Sequence, residues 1–104
     1  YETLFENYDL LLSPTLAEPP PILGYLSPEQ DPAIGFERVF NYVPFTPAQN
    51  VSGAPAISLP MAMSKGGLPI GIQFAGAHGQ ERQLLELALE LEEAQPWALI
   101  TNDE

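Results

Sequence analysis

Two short apolar segments, each bounded by glycine or proline, constrain this chain more than any other feature. The first, Ala56 to Leu59, shows little polar alternation and stands between Pro55 and Pro60. A run of this length predicts a strand that is covered on both faces. Proline cannot donate to a ladder, so we expect the hydrogen bonding of this strand to stop at each proline.

The second segment, Leu68 to Gly76, alternates between large and small side chains. Because successive residues of a strand point to opposite faces, it predicts a strand with one bulky face and one slim face. The slim face lets another element or a ligand approach the backbone, and we expect the bulky face to need a covering sheet. The turn residues Ser64 to Gly67 join the two segments and predict an antiparallel hairpin. The bulky face consists of Ile70, Ile72 and Phe74, and the slim face of Gly71, Gln73 and Ala75.

Helical periodicity marks the regions before these strands. Tyr1 to Tyr8 reads as the tail of a helix, and Pro32 to Val43 predicts a helix with Asp31 as its N-cap. A short helix is predicted after Phe45, with Thr46 as N-cap and Pro47 at its first position. Core packing is the preferred interpretation of the apolar face of the longer helix, which is formed by Phe36, Val39, Phe40 and Val43.

A closing helix gives the clearest periodicity in the chain. Leu84, Leu87, Ala88 and Leu91 share one face, and we expect Leu85 and Leu89 to widen it. Glutamates form the opposite ridge, where Arg82 is placed to pair with Glu86. Pro96 ends the helix, and Trp97 is expected to fold back over an apolar edge.

The first third of the chain combines a strand with a proline-rich crossing. Asp9 to Leu12 predicts a buried strand, and Thr15 follows at its carboxyl end, where α/β proteins place ligand-facing groups. Pro28 adds to the prolines of this region, which also include Pro19, Pro20 and Pro21. We interpret the triple proline as a rigid surface crossing, because its flanks are apolar and not basic. An adaptor whose partner reads this triple proline is the alternative hypothesis.

Three parts of the sequence, in this order and spacing, resemble the C-terminal part of the amidase signature family. Tyr8 to Thr15 is similar to the family's Y-D-x-x-L-x-P-T strand, and Glu81 to Glu92 to its closing E-x-x-L-L helix. Between them lie the counterparts of its N-x-x-G-x-P-A and G-L-P-x-G-x-Q strands, carried by Asn50, Gly53, Pro55, Ala56, Gly67, Leu68, Pro69, Gly71, Gln73 and Gly76.

This resemblance implies an α/β fold, the C-terminal part of the amidase signature fold, with a mixed central β-sheet flanked by helices. Residues 1–104 would then be the C-terminal segment of a single larger amidase domain. Within it we distinguish a strand plus proline-rich crossing (1–33), a helical part (34–50), two strands (51–76) and the closing helix (80–94). A sheet whose strands are covered on both faces also needs partners that so short a chain does not contain.

The resemblance implies hydrolysis of carboxylic amides by a serine nucleophile, a second serine in a cis peptide and a lysine base, all in a Gly/Ser-rich signature upstream. That signature is absent here, so we predict no catalytic residue in this chain. The one lysine, Lys65, stands in a turn, whereas a lysine base needs burial or a neighbouring charge to become neutral. No serine lies in a G-x-S-x-G elbow, and His78, the one histidine, reads as an exposed loop residue.

By the same resemblance, the segment before the N-x-x-G-x-P-A strand borders the acyl channel. We therefore predict Thr46, Gln49 and Asn50, together with Thr15, as substrate-binding residues. Structural roles are the alternative to substrate binding. In that case Thr46 would only cap its helix, and Asn50 would only fix the turn to Gly53. Apolar residues near the predicted pocket, namely Phe40, Phe45 and Ile57, favour an uncharged acyl group, and an oligoamide, as for the nylon-oligomer hydrolases of the family, is compatible with it.

Composition excludes several other classes of function. A net charge of -11 with three scattered cations disfavours nucleic acid and anionic membranes as partners. The absence of cysteine and the single histidine give no convincing metal site, and no cofactor is predicted. No apolar run is long enough to span a membrane, and no signal peptide is recognised, so a cytoplasmic location is the default.

The predicted partners are a small-molecule amide substrate and the remainder of the amidase chain, and a homodimer is compatible with the sequence. A catalytically silent family member that serves as an assembly or binding module is the alternative from another class of function. Amide hydrolysis by the chain supplied with its upstream region would separate this module from an enzyme.

Overall fold

A β-hairpin forms the centre of the fold in the computed structural model, which describes residues 2–27 and 29–98. Its strands are β2 (Ala56–Met63) and β3 (Pro69–Ala75), which pair antiparallel. In the turn, the Ser64 N–H donates to Leu68 O (2.8 Å) and the Gly67 N–H to Ser64 O (3.0 Å). Gly67 has a φ of 84°, in the left-handed region that glycine tolerates. The predicted hairpin is confirmed.

Strand β2 does not stop at Pro60, so the prediction that its ladder ends there is wrong. Leu59 pairs with Ile72 and Ala62 with Ile70, which leaves one extra residue on β2 between the two pairs. Such a β-bulge accommodates a proline because the residues inside it make no regular ladder bond. In the part of the chain that the structure describes, β2 is also an edge strand, where a missing N–H costs little.

A third strand, β1 (Leu11–Pro14), pairs antiparallel with the other side of β3. The sheet order is therefore β1-β3-β2, with β3 in the centre. Four helices accompany the sheet in the described part of the chain, so the predicted α/β class is confirmed: α1 (Glu2–Asn7), α2 (Pro32–Tyr42), α3 (Pro47–Ser52) and α4 (Glu81–Ala94). Both strand pairings in this sheet are antiparallel, so the mixed sheet implied by the resemblance would need further strands.

Helix α4 covers the bulky face of the sheet. The sequence pattern predicted a second sheet at this face. Leu59 of β2, Phe74 of β3 and Leu84 of α4 form the buried core cluster. Leu84 is only 3% exposed, because it lies over the two strands. Partly buried apolar residues surround the cluster, namely Leu10, Ile57, Met61, Ile72, Leu87, Ala88, Leu91 and Trp97.

The apolar face of α4 is narrower than predicted. Leu85 and Leu89 are 59% and 66% exposed, so they do not widen the buried face. The predicted pair between Arg82 and Glu86 is present, with 2.9 Å between Nε and Oε1, and its exposure limits its contribution to about 0–1 kcal/mol. Trp97 packs against the core cluster, which confirms its predicted position.

Helix α2 begins as predicted, but its aromatic face is not buried by the residues that the structure describes. The Asp31 side chain accepts a hydrogen bond from the Ala33 N–H at 3.0 Å, as an N-cap should. Phe36 and Phe40 stack 4.8 Å apart between ring centroids, yet they are 67% and 61% exposed. Core packing of this face is therefore wrong for the described chain.

Between β1 and α2, the described residues form no helix or strand, in keeping with a proline-rich crossing. Helix α1 occupies most of the predicted N-terminal helical segment. Two residues in the predictions for these regions, Tyr1 and Pro28, lie outside the described residues.

The segment that contains α3 is anchored at both ends of strand β3. Near the Gly71 end, the Ala17 N–H donates to Tyr42 O at 3.0 Å. At the other end, the Gly76 N–H donates to Pro55 O, also at 3.0 Å. The two bonds therefore hold the chain on both sides of α3, at Tyr42 before it and at Pro55 after it.

Candidate functional site

Three of the predicted site residues lie on or just before helix α3. Thr46 occupies the N-cap position, although its side chain makes no capping hydrogen bond, so a purely capping role does not describe it. Gln49 and Asn50 follow within the helix, where Gln49 is half-buried and Asn50 is exposed. The Gly53 N–H donates to Gln49 O at 2.8 Å and ends the helix with a φ of 73°. Backbone capping thus fixes the turn to Gly53.

His78 fixes the end of α3 from the neighbouring loop. Its Nε2 lies 2.8 Å from Ser52 O, and since a carbonyl oxygen only accepts, Nε2 carries the proton. The residue is exposed, as the sequence predicted for a loop histidine. No local sequence pattern indicates this bond, because it joins residues 26 positions apart. A cleft of about 340 Å³ adjoins it, lined by Glu2, Phe5, Glu6, Ala77 and His78.

Thr15, the fourth predicted residue, lies at the opposite end of the sheet. Its N–H donates to Gly71 O at 3.1 Å, and its Oγ1 lies 2.6 Å from Ser58 Oγ. Two residues further along, the Ala17 N–H donates to Tyr42 O, at the end of α2. The prediction did not include Ser58. This residue pairs in register with Gln73, so it lies on the slim face of the sheet.

A row of polar side chains crosses the slim face next to this pair. Ser13, Gln73 and Ser58 are partners in register across the three strands. Gln73 is only 5% exposed, and its Nε2 donates to Ser13 Oγ at 3.4 Å. A buried amide without a partner would be costly, so this contact helps Gln73 to occupy the central strand.

The serine hydroxyls are held by groups that cannot act as a general base. Ser27, Ser52 and Ser64 each accept a hydrogen bond from a backbone N–H within a turn. Ser13 contacts the Gln73 amide, and Ser58 contacts the Thr15 hydroxyl. Activation of a serine needs a base within hydrogen-bond reach. His78 bonds a carbonyl and Lys65 is exposed in the hairpin turn, so neither is bonded to a serine hydroxyl.

The remaining cation, Arg38, has structural contacts. The Arg38 guanidinium donates to Tyr25 O (3.0 Å) and Gln30 Oε1 (2.7 Å), and lies 4.2 Å from the centroid of the Tyr25 ring. These bonds tie the proline-rich crossing to α2.

Across residues 2–27 and 29–98 there is no group of three His, Cys, Asp or Glu side chains arranged to hold a metal ion. The helices in the same ranges are too short or too polar to cross a membrane.

A family model and several known proteins are similar to this chain. The profile of the family described as Amidase matches residues 1–85. A Mycobacterium leprae protein named "Putative amidase AmiC" is 54% identical over 96 residues, which cover 92% of this chain and 20% of that protein. The 6-aminohexanoate-cyclic-dimer hydrolase of Paenarthrobacter ureafaciens is 42% identical over 97 residues, with 88% and 20% covered.

Solved structures show the same relationship. The structure of 6-aminohexanoate cyclic dimer hydrolase complexed with substrate superposes with a TM-score of 0.80 at 40% identity, covering 92% of this chain and 21% of that one. The chain thus spans about a fifth of the length of these relatives.

Proposed function

The chain belongs to the amidase signature family, and from this premise we propose that residues 1–104 form the C-terminal segment of a single larger amidase domain. The whole enzyme hydrolyses the C–N bond of carboxylic amides through an acyl-serine intermediate. Its Ser-cis-Ser-Lys triad lies upstream of these residues. The segment itself supplies strands to the sheet and part of the wall of the acyl pocket.

The open surface of the described chain is the observation that carries this proposal. Strand β2 is eight residues long and has a free edge in the part of the chain that the structure describes. Long exposed edges invite pairing, and native domains cover them. The radius of gyration is 16.0 Å, whereas a closed domain of this length is expected near 13 Å. A segment that completes a larger sheet accounts for both properties.

Exposed apolar side chains support the same interpretation. Leu23, Val51 and Ile22 are 101%, 90% and 82% exposed, and the aromatic face of α2 is open. Large exposed apolar surfaces mark contacts with further protein. We assign this surface to the remainder of the amidase domain, so a homodimer stays a separate prediction. A cytoplasmic location also belongs to the proposal.

Substrate contacts are proposed at the residues predicted from the sequence. Thr46, Gln49 and Asn50 would contact the acyl part of the substrate from α3, and Thr15 would do so from the end of β1. The similarity to 6-aminohexanoate-cyclic-dimer hydrolases supports an oligoamide substrate with an uncharged acyl chain. Phe45 next to this segment is compatible with an aliphatic acyl chain, whereas Ile57 packs against the core cluster.

Labelling with a serine-reactive fluorophosphonate tests where the nucleophile lies. We expect the probe to inactivate the full-length protein and to modify one serine outside residues 1–104, because none of the hydrogen bonds found among the described residues joins a serine hydroxyl to a base. Peptide mapping by mass spectrometry locates the adduct. An adduct on Ser13, Ser27, Ser52, Ser58 or Ser64 would show that the segment carries the nucleophile. No adduct at all would favour the catalytically silent module.

A further inference from the structure

The hydroxyl pair of Thr15 and Ser58 on the slim face has a geometry that the roles described so far do not explain. The two oxygens lie 2.6 Å apart, although the residues are 43 positions apart in the sequence. The pair bridges the end of β1 and the edge strand β2, across the central strand. Ser58 is exposed and Thr15 half-buried, so a group outside the described residues can reach the pair.

Gly71 provides the space for this pair. A Cβ atom at position 71 would lie 2.8 Å from Ser58 Oγ, 2.8 Å from Thr15 Oγ1 and 3.2 Å from Thr15 Cβ. Real Cβ atoms do not approach other heavy atoms so closely, so any larger residue would displace a hydroxyl. The glycine lets both hydroxyls lie directly over the backbone of β3. Its carbonyl also fixes Thr15 by accepting the Thr15 N–H at 3.1 Å.

The pair has hydrogen-bonding capacity beyond its internal bond. Two hydroxyl groups offer two protons and four lone pairs, and the internal bond uses one of each. One donor and several acceptors are therefore left for another group. The turn serines differ, because Ser27, Ser52 and Ser64 each cap a local backbone N–H. A secondary amide, with one carbonyl acceptor and one N–H donor, complements the capacity of the pair.

We propose that the Thr15 and Ser58 hydroxyls together bind an amide group of the substrate that is not being cleaved. This rests on the proposed amide hydrolase function. The reacting amide must lie at the triad upstream, so the pair meets a second amide further along the acyl part. Gly71 acts as a positioning residue, since it reaches the substrate only through the hydroxyls that it accommodates. The enzyme thereby favours substrates that contain at least two amides.

Steady-state kinetics of the full-length enzyme on two substrates tests this proposal. The 6-aminohexanoate cyclic dimer contains two amides, and a simple N-alkyl hexanamide contains one. For Ser58→Ala and Thr15→Val we expect KM for the two-amide substrate to rise about 3–10-fold with kcat retained, as for the loss of a neutral hydrogen bond. The KM for the one-amide substrate should not change. Ser64→Ala, which removes a hydroxyl from the hairpin turn, is the matched control.

The double variant should resemble either single variant, because the two hydroxyls act as a unit. Equal changes for both substrates, or no change for either, would overturn the role of the pair while the wild-type enzyme remains an active amidase. Loss of folding in one variant is detected by its melting temperature, and the other variant then decides. A wild-type protein that hydrolyses neither substrate would overturn the proposed function itself.

Discussion

Replacing Leu84 with alanine is expected to destabilise the chain by about 2–5 kcal/mol, the usual range for truncating a buried leucine. Leu84 is 3% exposed and forms the core cluster with Leu59 and Phe74. It is the buried residue of α4 in this cluster, so its truncation leaves a cavity between the helix and two strands. The free energy of unfolding of a domain is about 5–15 kcal/mol in total, so this loss is a large fraction of it.

Leu89→Ala in the same helix is the matched control, because Leu89 is 66% exposed. We expect it to change the stability by less than about 0.5 kcal/mol. Urea unfolding of both variants, followed by circular dichroism, measures the difference through the midpoints at constant m-value. Equal losses in the two variants would contradict the orientation of α4.

Gly71→Ala has the second largest expected effect. A Cβ atom at this position would lie 2.8 Å from two hydroxyl oxygens and 3.2 Å from Thr15 Cβ, so the hydroxyls must rotate away and lose their mutual hydrogen bond, at a cost of about 1–2 kcal/mol. Alanine is preferred to glycine within a strand by about 0.5–1 kcal/mol, which offsets only part of this cost. The variant should therefore be less stable, and its urea midpoint should fall.

Gly66→Ala distinguishes this steric effect from a general effect of glycine replacement. Gly66 has no strained φ, and its Cβ atom would meet only Ser64 Oγ at 3.9 Å. We expect this variant to be neutral or more stable by up to about 1 kcal/mol, through the unfolded chain. Adding Ser58→Ala to Gly71→Ala should restore part of the stability, because one of the clashing oxygens is removed. A Gly71→Ala protein as stable as the wild type would mean that the hydroxyl pair moves aside freely.

Local sequence patterns predicted most of the secondary structure. The alternation in β3, the turn glycines and the periodicity of α4 each depend on residues close together in the chain, and all three elements form. Pro60 misled the prediction of β2, because a bulge in an edge strand removes the need for the N–H that proline lacks. The helical part also extends further than predicted, since α3 runs to Ser52.

Burial was harder to predict, because it depends on which elements meet. The amphipathic pattern of α2 predicts a face that is buried, but Phe36 and Phe40 are not buried by the described residues. This exposed face is in keeping with the proposed larger domain, whose remaining residues would cover it. For α4 the central stripe was predicted correctly, whereas Leu85 and Leu89 lie outside the buried face.

The candidate site was predicted only in part. Thr15 was identified from its place at the end of a strand, but its partner Ser58 lies 43 residues away, and no local pattern joins them. Gly71 offered the one available signal, since a glycine on the slim face of a strand indicates close approach by another group. The bond between His78 and Ser52 O likewise depends on two loops that meet only in the folded chain.

Amide hydrolysis measured side by side for the full-length protein and for residues 1–104 alone tests the central claim most directly. We expect the full-length protein to hydrolyse the 6-aminohexanoate cyclic dimer or a simple amide, and the isolated segment to show no turnover above the uncatalysed rate, because its serines are bonded to groups that are not bases. Turnover by the isolated segment, or an inactive full-length protein, would contradict the account.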